Sequence, residues 1–128
     1  MNLLLDTHIF IWFSGEPEKL TQPVREALQD PDNQLFLSVA SVWEMQIKAQ
    51  LGRLTLPLPV KELVATQQRL NDLQILPLFL QHVWELGMLP PHHKDPFDRI
   101  LIAQVLAEKW VFVTADSLLS QYSVPRLV

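Results

Sequence analysis

Carboxylate side chains follow two of the apolar runs in this sequence. Asp6 comes directly after three leucines at positions 3–5, and Asp116 lies just past the β-prone run at positions 110–113. Because ligands bind outside the carboxyl ends of the strands in open α/β sheets, we expect both acids at one edge of a sheet if these strands are neighbours. Such an edge is a candidate site for a metal ion.

Two more acids fall in the first turns of predicted helices. Glu44 lies near the start of the helix after the second predicted strand, and Asp98 lies near the start of a long amphipathic helix. Carboxylates that lie close together raise one another's pKa unless a cation holds them, and hard oxygen ligands select Mg²⁺ or Mn²⁺ rather than zinc. A bound ion can activate water and neutralise phosphate charge in phosphodiester cleavage. The hypothesis is that these four acids form one metal-dependent site.

Two of the acids differ in how well a purely structural role explains them. Ser41 and Glu44 match a capping box, in which the glutamate binds a backbone N–H of its own helix. Asp6 has the weakest structural explanation, because an acid beside three leucines is costly to bury unless it is paired or bound to metal. The metal hypothesis therefore depends most on Asp6.

The other acids also have structural alternatives when each is taken alone. Asp95 precedes a proline and Asp98 lies in the first helical turn, so each is placed to cap a helix or to interact with its dipole. Asp116 is placed to cap a short helix after it. Caps and metal ligands therefore both remain open interpretations of these three residues.

The elements that must position these acids alternate between strand and helix. Strands are predicted at residues 3–5, 35–39, 73–78 and 110–113. The third contains Pro77, which favours an edge strand or a strand end. Helical segments are predicted at residues 9–13, 21–30, 41–51, 60–72, 80–86 and 97–108, followed by a short helix after Asp116. A tail containing Val124 and Leu127 is predicted to pair or pack at an edge.

This alternation over 128 residues predicts one α/β domain, residues 1–128, built on a mostly parallel sheet. Hydrophobic residues make up 48% and charged residues 19%, which argues against disorder. The chain has no Cys, so disulfides and thiolate metal ligands are excluded, and its 3 Gly leave no glycine-rich phosphate loop. Without a basic leader or an apolar run of about 18 residues, a cytoplasmic location is expected.

Two histidines and the four tryptophans are predicted not to bind metal or stack on bases. His92 and His93 are adjacent in a polar loop without ligand spacing, so they are interpreted as loop residues rather than metal ligands. The four tryptophans fall within the apolar pattern. They are expected in the core or at a subunit interface rather than as stacking platforms for bases, and they are Trp12, Trp43, Trp84 and Trp110.

Four short motifs together resemble those of the PIN domain family, in the group of small bacterial proteins similar to VapC toxins. They are LLLDTH at 3–8, SVASVWE at 38–44, DPFDRILIAQ at 95–104 and VTAD at 113–116. Each motif alone is common, but their order and spacing match across nearly the whole chain. The resemblance implies a three-layer sandwich, with helices on both sides of the central sheet.

The resemblance also implies a function and partners. Proteins of this group are Mg²⁺- or Mn²⁺-dependent endoribonucleases, usually the homodimeric toxin of a type II toxin-antitoxin pair that a small antitoxin inhibits. The residues that match the family's four acids are Asp6, Glu44, Asp98 and Asp116. Asp98 is preferred over Asp95 because it opens a helix eighteen positions before Asp116, as in the family pattern.

Other positions are implied around these acids. The hydroxyls of Thr7 and Thr114 border the site by this resemblance, Ser38 or Ser41 orients a carboxylate, and Asp95 is a candidate outer acid. The net charge of −4 has the wrong sign for binding RNA through bulk electrostatics, so contacts to RNA must be local. The candidates for such contacts are Lys48, Arg53, Lys94 and Arg99, of which Arg99 is alternatively placed to pair with an acid.

Other classes of function compete with the toxin hypothesis. A PIN-type nuclease that processes RNA without an antitoxin has the same sequence features. A non-catalytic binding module would use the acids as caps and solubilising charges, and its stability would not respond to metal. A Mg²⁺ phosphohydrolase of receiver or haloacid type is less favoured, because it usually needs a late lysine and this chain has none after Lys109.

Overall fold

The computed structural model describes residues 1–92, 94–116, 122 and 125–128. The strands in this part of the chain are β1 (Asn2–Leu5), β2 (Gln34–Ser38), β3 (Gln74–Leu76), β4 (Val111–Val113) and β5 (Arg126–Leu127). The α-helices are α1 (Thr7–Gly15), α2 (Gln22–Gln29), α3 (Val39–Gln50), α4 (Val60–Asn71), α5 (Leu80–Gly87) and α6 (Pro96–Glu108). A 3₁₀ turn, Pro17–Lys19, joins α1 to α2.

All five described strands form one parallel sheet in the order β3-β2-β1-β4-β5. The first strand is central, and its Leu4 pairs with Phe36 of β2 and with Phe112 of β4. The predicted parallel α/β sheet is therefore confirmed. β3 is an edge strand that ends just before Pro77, as the proline indicated. Since every strand runs the same way, their carboxyl ends share one edge.

Helices cover both faces of the sheet, because side chains alternate between the faces along each strand. On one face, Leu3 and Leu5 are fully buried with apolar residues of α1, α2, α3 and α4. On the other face, Leu4 packs against Leu101, Ile102 and other residues of α6. The predicted three-layer sandwich is confirmed, and the central strand that carries Asp6 at its end is buried on both sides.

The start of α3 differs from its prediction. The helix begins at Val39, and Ser38 caps it by accepting a hydrogen bond of 3.0 Å from the Ala40 N–H. The predicted strand end at 39 and helix start at Ser41 were therefore wrong. The capping box of Ser41 and Glu44 was also wrong, since Glu44 lies beyond the first turn. Ser38, three residues before Ser41, is both the last residue of β2 and the cap of α3.

The start of α6 agrees with a structural role for Asp95. Asp95 Oδ1 accepts hydrogen bonds of 2.8 Å from the Phe97 N–H and 3.4 Å from the Asp98 N–H, and Pro96 occupies the first helical position. This cap fixes the first turn of the helix. It thereby sets the position of Asp98.

Two tryptophans do not lie in the core. Trp12 and Trp110 are half-buried against the apolar clusters, as predicted. Trp43 is 61% exposed and Trp84 is 65% exposed, so their predicted core placement was wrong, whereas the interface alternative stays open. Leu70 on α4 is likewise 64% exposed. In the described part of the chain these side chains remain largely exposed, although Trp43 contacts Phe97 edge-on.

The end of the chain adds β5 to the sheet. Leu127 pairs with Val113, which confirms the predicted edge position of this residue. The predicted short helix after Asp116, His93 and Val124 lie outside the described residues. Among the described helices, none combines the length and the apolar character needed to cross a membrane.

Candidate active site

A pocket of about 330 Å³ opens at the carboxyl edge of the sheet. All four predicted acids contribute to its wall, although they come from four distant segments of the chain. Asp95 is a fifth acid in this wall. We call this cavity the acidic pocket, and its acids are Asp6, Glu44, Asp95, Asp98 and Asp116.

Asp6 is held at the end of β1 by donors on both of its oxygens. Oδ1 accepts a hydrogen bond of 2.8 Å from the Thr7 N–H, which caps α1, and Oδ2 accepts one of 2.7 Å from the Thr114 hydroxyl. The residue is 2% exposed. Burial raises the pKa of Asp6, against the opposing effects of His8 and of the Thr114 hydrogen bond. The carboxylate therefore has a fixed position but carries a desolvation cost.

Glu44 is held by one hydroxyl and one ammonium group. Its Oε1 accepts a hydrogen bond of 2.7 Å from Thr7 Oγ1, which lies 2.9 Å from Ser41 Oγ. Its Oε2 accepts a hydrogen bond of 2.5 Å from Lys48 Nζ. Thr7 therefore connects the two acids, because its N–H binds Asp6 and its hydroxyl binds Glu44.

Asp98 experiences the negative charge of the whole pocket. Burial, followed by the charges of the other four acids, raises the pKa of Asp98 to about 7. Those acids are Asp6, Asp95, Glu44 and Asp116, in descending order of effect. The pocket therefore opposes ionisation of Asp98 unless positive charge is brought in.

Thr114 links the last acid to the first. Its side chain is fully buried, and its Oγ1 donates to Asp6 and accepts a hydrogen bond of 3.1 Å from the Asp116 N–H. The hydroxyl thus fixes the backbone turn after β4 relative to the end of β1. Of the residues predicted to support the acids, Thr7, Thr114 and Ser41 do so directly or through one another, whereas Ser38 caps α3.

His8 was missed as a site residue in the sequence, although it stands two positions after Asp6. Its Nε2 accepts a hydrogen bond of 3.1 Å from the Ala115 N–H, and its Nδ1 lies 3.5 Å from Asp6 Oδ2. The ring also packs edge-on against Trp12, with 5.1 Å between centroids. His8 therefore joins the end of β1 to the segment that carries Asp116. Its closeness to Asp6 in the sequence was the available signal.

The predicted RNA-binding cations separate into two groups. Lys48 and Arg53 line the acidic pocket. Lys94 is exposed and is not part of the pocket wall. Arg99 donates a hydrogen bond of 2.9 Å from Nη1 to the Pro90 carbonyl and lies 3.4 Å from the Tyr122 hydroxyl, so it holds the preceding loop.

The ligand chemistry of the pocket fits a hard divalent cation. Carboxylate oxygens are the ligands that Mg²⁺ and Mn²⁺ prefer, and a cation in the pocket would offset the repulsion that the other four acids exert on Asp98. In the described part of the chain, however, no three acidic or histidine side chains converge closely enough to share an ion. Binding would therefore require side-chain rotation, including at Glu44, whose oxygens bind Thr7 and Lys48.

The pH dependence of folding should reveal the charge on Asp98. Between the ordinary aspartate pKa of 3.8 and about 7, the folded protein keeps a proton that the unfolded chain has lost. We therefore expect the contribution of Asp98 to stability to decrease as pH rises through this window and to level off above it. Urea unfolding without metal, at about pH 5 and about pH 8, should show a smaller decrease in Asp98→Asn than in the wild type. Equal decreases would contradict the raised pKa.

The protein belongs to the class of parallel α/β sandwiches that have a cluster of acidic residues at the carboxyl edge of the sheet. The model of the PIN domain family matches residues 3–125, and the chain belongs to this family. The chain is also similar to Ribonuclease VapC22 from Mycobacterium tuberculosis, with 29% identity over 137 residues, 98% of this chain and 95% of that protein. The predicted family resemblance is confirmed.

Solved structures show the same fold. VapBC2 from Rickettsia felis, bound to a DNA fragment from its promoter, superposes with a TM-score of 0.76 at 13% identity, covering 99% of this chain and 98% of that chain. DNA-bound VapBC from Salmonella typhimurium superposes with a TM-score of 0.71 at 15% identity, covering 100% and 97%. At these identities the likeness establishes the architecture alone.

Proposed function

We propose that this protein is an endoribonuclease that hydrolyses phosphodiester bonds of RNA with Mg²⁺ or Mn²⁺. The observation that carries the proposal is the convergence of Asp6, Glu44, Asp98 and Asp116 on one pocket of a PIN fold. The similar protein from Mycobacterium tuberculosis is named a ribonuclease, which agrees with this proposal. These four acids are the proposed metal ligands.

The residues around the four acids have two proposed roles: some fix the positions of the carboxylates, and others supply positive charge. A bound cation supplies water activation and charge neutralisation at the phosphate. Thr7 and Thr114 keep Asp6 in place, and Thr7 also orients Glu44. Lys48 and Arg53 supply positive charge in the pocket wall, where a phosphate can bind despite the net charge of −4.

Cleavage of RNA by the purified protein tests this proposal. Mixed cellular RNA would be incubated with Mn²⁺, with Mg²⁺ and with EDTA, and the melting temperature would be measured in the same buffers. We expect cleavage with metal, none with EDTA, and a higher melting temperature with metal, because an ion that binds only the native state stabilises it. No cleavage and no thermal shift would instead favour a non-catalytic binding module.

We also propose that the ribonuclease is the toxin of a toxin-antitoxin pair, acting on RNA in the cytoplasm as one domain of residues 1–128. The structures with the same fold include DNA-bound VapBC2 and VapBC, and the sequence motifs of this chain resemble those of VapC toxins. Induced expression should arrest growth, and coexpression of a small gene next to this one should restore it. Growth that is unaffected despite RNA cleavage in vitro would favour the alternative, an RNA-processing nuclease without an antitoxin.

An exposed apolar surface supports a homodimer. The apolar face is a groove of about 460 Å³ between α3, α5 and α6. No charged residue lines the groove among the described residues, and Trp43 packs edge-on against Phe97 within it, 5.3 Å between centroids. Homodimer interfaces are more apolar than transient ones, so a second copy of this chain is the proposed occupant. Among the residues that line this groove, Val39, Trp43, Leu78 and Val83 are exposed.

Trp43→Glu should convert the dimer to a monomer. Trp43 lines the groove and is 61% exposed in the single chain, so the substitution leaves the core intact but places an unpaired charge in the proposed interface. The measurement is molar mass by light scattering after size-exclusion chromatography. Leu70→Glu is the matched control, because Leu70 is 64% exposed on α4, away from the apolar face. A wild-type monomer, or a Trp43→Glu variant that stays dimeric, would contradict the proposed interface.

A further inference from the structure

Lys48 places a positive charge directly on one of the proposed metal ligands. Its Nζ lies 2.5 Å from Glu44 Oε2, one helical turn away on α3. The Glu44 side chain is 6% exposed, whereas that of Lys48 is 43% exposed. Lys48 also lines the acidic pocket together with Asp95 and Asp98, so its charge acts on the pocket and not on Glu44 alone.

The two partners of Glu44 are not equally able to leave. Thr7 is buried at the start of α1 and also binds Asp6 through its N–H. Lys48 carries its ammonium on a flexible four-carbon stem that extends towards solvent, so it can rotate away without disturbing the core. A cation that takes an oxygen of Glu44 would displace Lys48 rather than Thr7.

We propose that Lys48 is a built-in counter-cation of the acidic pocket, which competes with the divalent ion for Glu44 and thereby lowers the metal affinity of the protein. This inference rests on the proposed metal site. It explains how a pocket with five acids keeps part of its charge balanced before an ion arrives. It also gives the lysine a second position, free in the pocket, once the ion holds Glu44.

Removal of the competitor should tighten metal binding. Lys48→Met keeps the apolar stem but removes the ammonium. We expect it to bind Mn²⁺ about tenfold more tightly than the wild type, because a hydrogen bond to a charged group no longer has to be broken. Lys48→Arg keeps the charge and should bind Mn²⁺ as the wild type does. The measurement is titration calorimetry with Mn²⁺ and without RNA.

Arg53→Met is the matched control for charge alone. Arg53 lines the same pocket. The hydrogen-bond partners described for Glu44 are Thr7 and Lys48, and Arg53 is not one of them. Both variants lose one positive charge from the pocket wall. Direct competition for Glu44 therefore predicts a clearly larger increase in Mn²⁺ affinity for Lys48→Met than for Arg53→Met. Equal gains, or no gain, would overturn the competition while leaving the metal site intact. Absence of Mn²⁺ binding in every variant and in the wild type would overturn the proposed function as well.

Discussion

Asp98→Asn is expected to abolish metal-dependent cleavage and, in the same protein, to increase the stability of the metal-free fold. Mutation of a residue that merely supports a metal ligand costs about 10–100-fold in affinity or activity. Loss of the charge on a proposed ligand should therefore lower RNA cleavage by more than about 100-fold. The variant should also lose most of the increase in melting temperature that Mn²⁺ produces.

The gain in stability follows from the electrostatics of the pocket. Burial and four neighbouring acids raise the pKa of Asp98 to about 7, so its ionised form is unfavourable in the folded protein at higher pH. Asparagine has nearly the same shape but no charge, which removes both the desolvation cost and the repulsion. Opposite effects on activity and stability are characteristic of a group placed for function at the expense of stability.

Two measurements on one matched pair check this expectation. Urea unfolding at about pH 8 with EDTA should give a higher unfolding free energy for Asp98→Asn than for the wild type. Asp32→Asn makes the same chemical change at an exposed position before β2, at the opposite edge of the sheet, and should change neither stability nor cleavage. A stable but fully active Asp98→Asn would exclude this residue from the metal site.

The sequence was sufficient to place the acids at one edge of the sheet because that placement depends on strand direction alone. Asp6 and Asp116 follow strands that the structure shows to be parallel neighbours. In any parallel sheet such residues meet at the carboxyl edge, whatever the details of packing. The family motifs supplied the remaining acids, and the structure places them in the same pocket.

The local partners of these acids were harder to predict. Ser38 and Ser41 are both compatible with a cap, and the local pattern favoured the second because of Glu44 three residues later. The structure uses Ser38 as the cap, while Ser41 lies buried beside Thr7, thirty-four positions away in sequence. Such a contact depends on how α1 and α3 pack, which no local pattern contains.

Exposed apolar residues show a second limit of sequence patterns. Periodicity marks Trp43, Trp84 and Leu70 as apolar positions of helices, but it does not say whether a neighbouring element covers them. Helix α5 packs against α6 through buried His82, whose Nε2 lies 2.9 Å from Glu108 Oε1. Trp84, two positions after His82 on α5, is 65% exposed, and no element in the described part of the chain covers it. Apolar patterning therefore predicts burial correctly only where the fold supplies a partner.

Asp6→Asn should lower RNA cleavage by more than about 100-fold while leaving the fold intact. Asn caps helices as well as Asp does, so the carbonyl oxygen of its amide can still accept from the Thr7 N–H and keep the start of α1. The substitution removes the negative charge from an acid whose two oxygens are both held by hydrogen-bond donors. The measurements are cleavage with Mn²⁺, the shift in melting temperature with Mn²⁺, and helical content by circular dichroism.

Thr114→Val separates the charge of Asp6 from its positioning. The threonine is fully buried, and valine has nearly the same shape, but it cannot donate to Asp6 or accept from the Asp116 N–H. Because it leaves all the carboxylates in place, we expect a smaller loss of cleavage, about 10–100-fold. Both the cleavage rate and the Mn²⁺ affinity should decrease in the order wild type, Thr114→Val, Asp6→Asn. A folded Asp6→Asn that cleaves faster than Thr114→Val would show that Asp6 serves the fold rather than the metal.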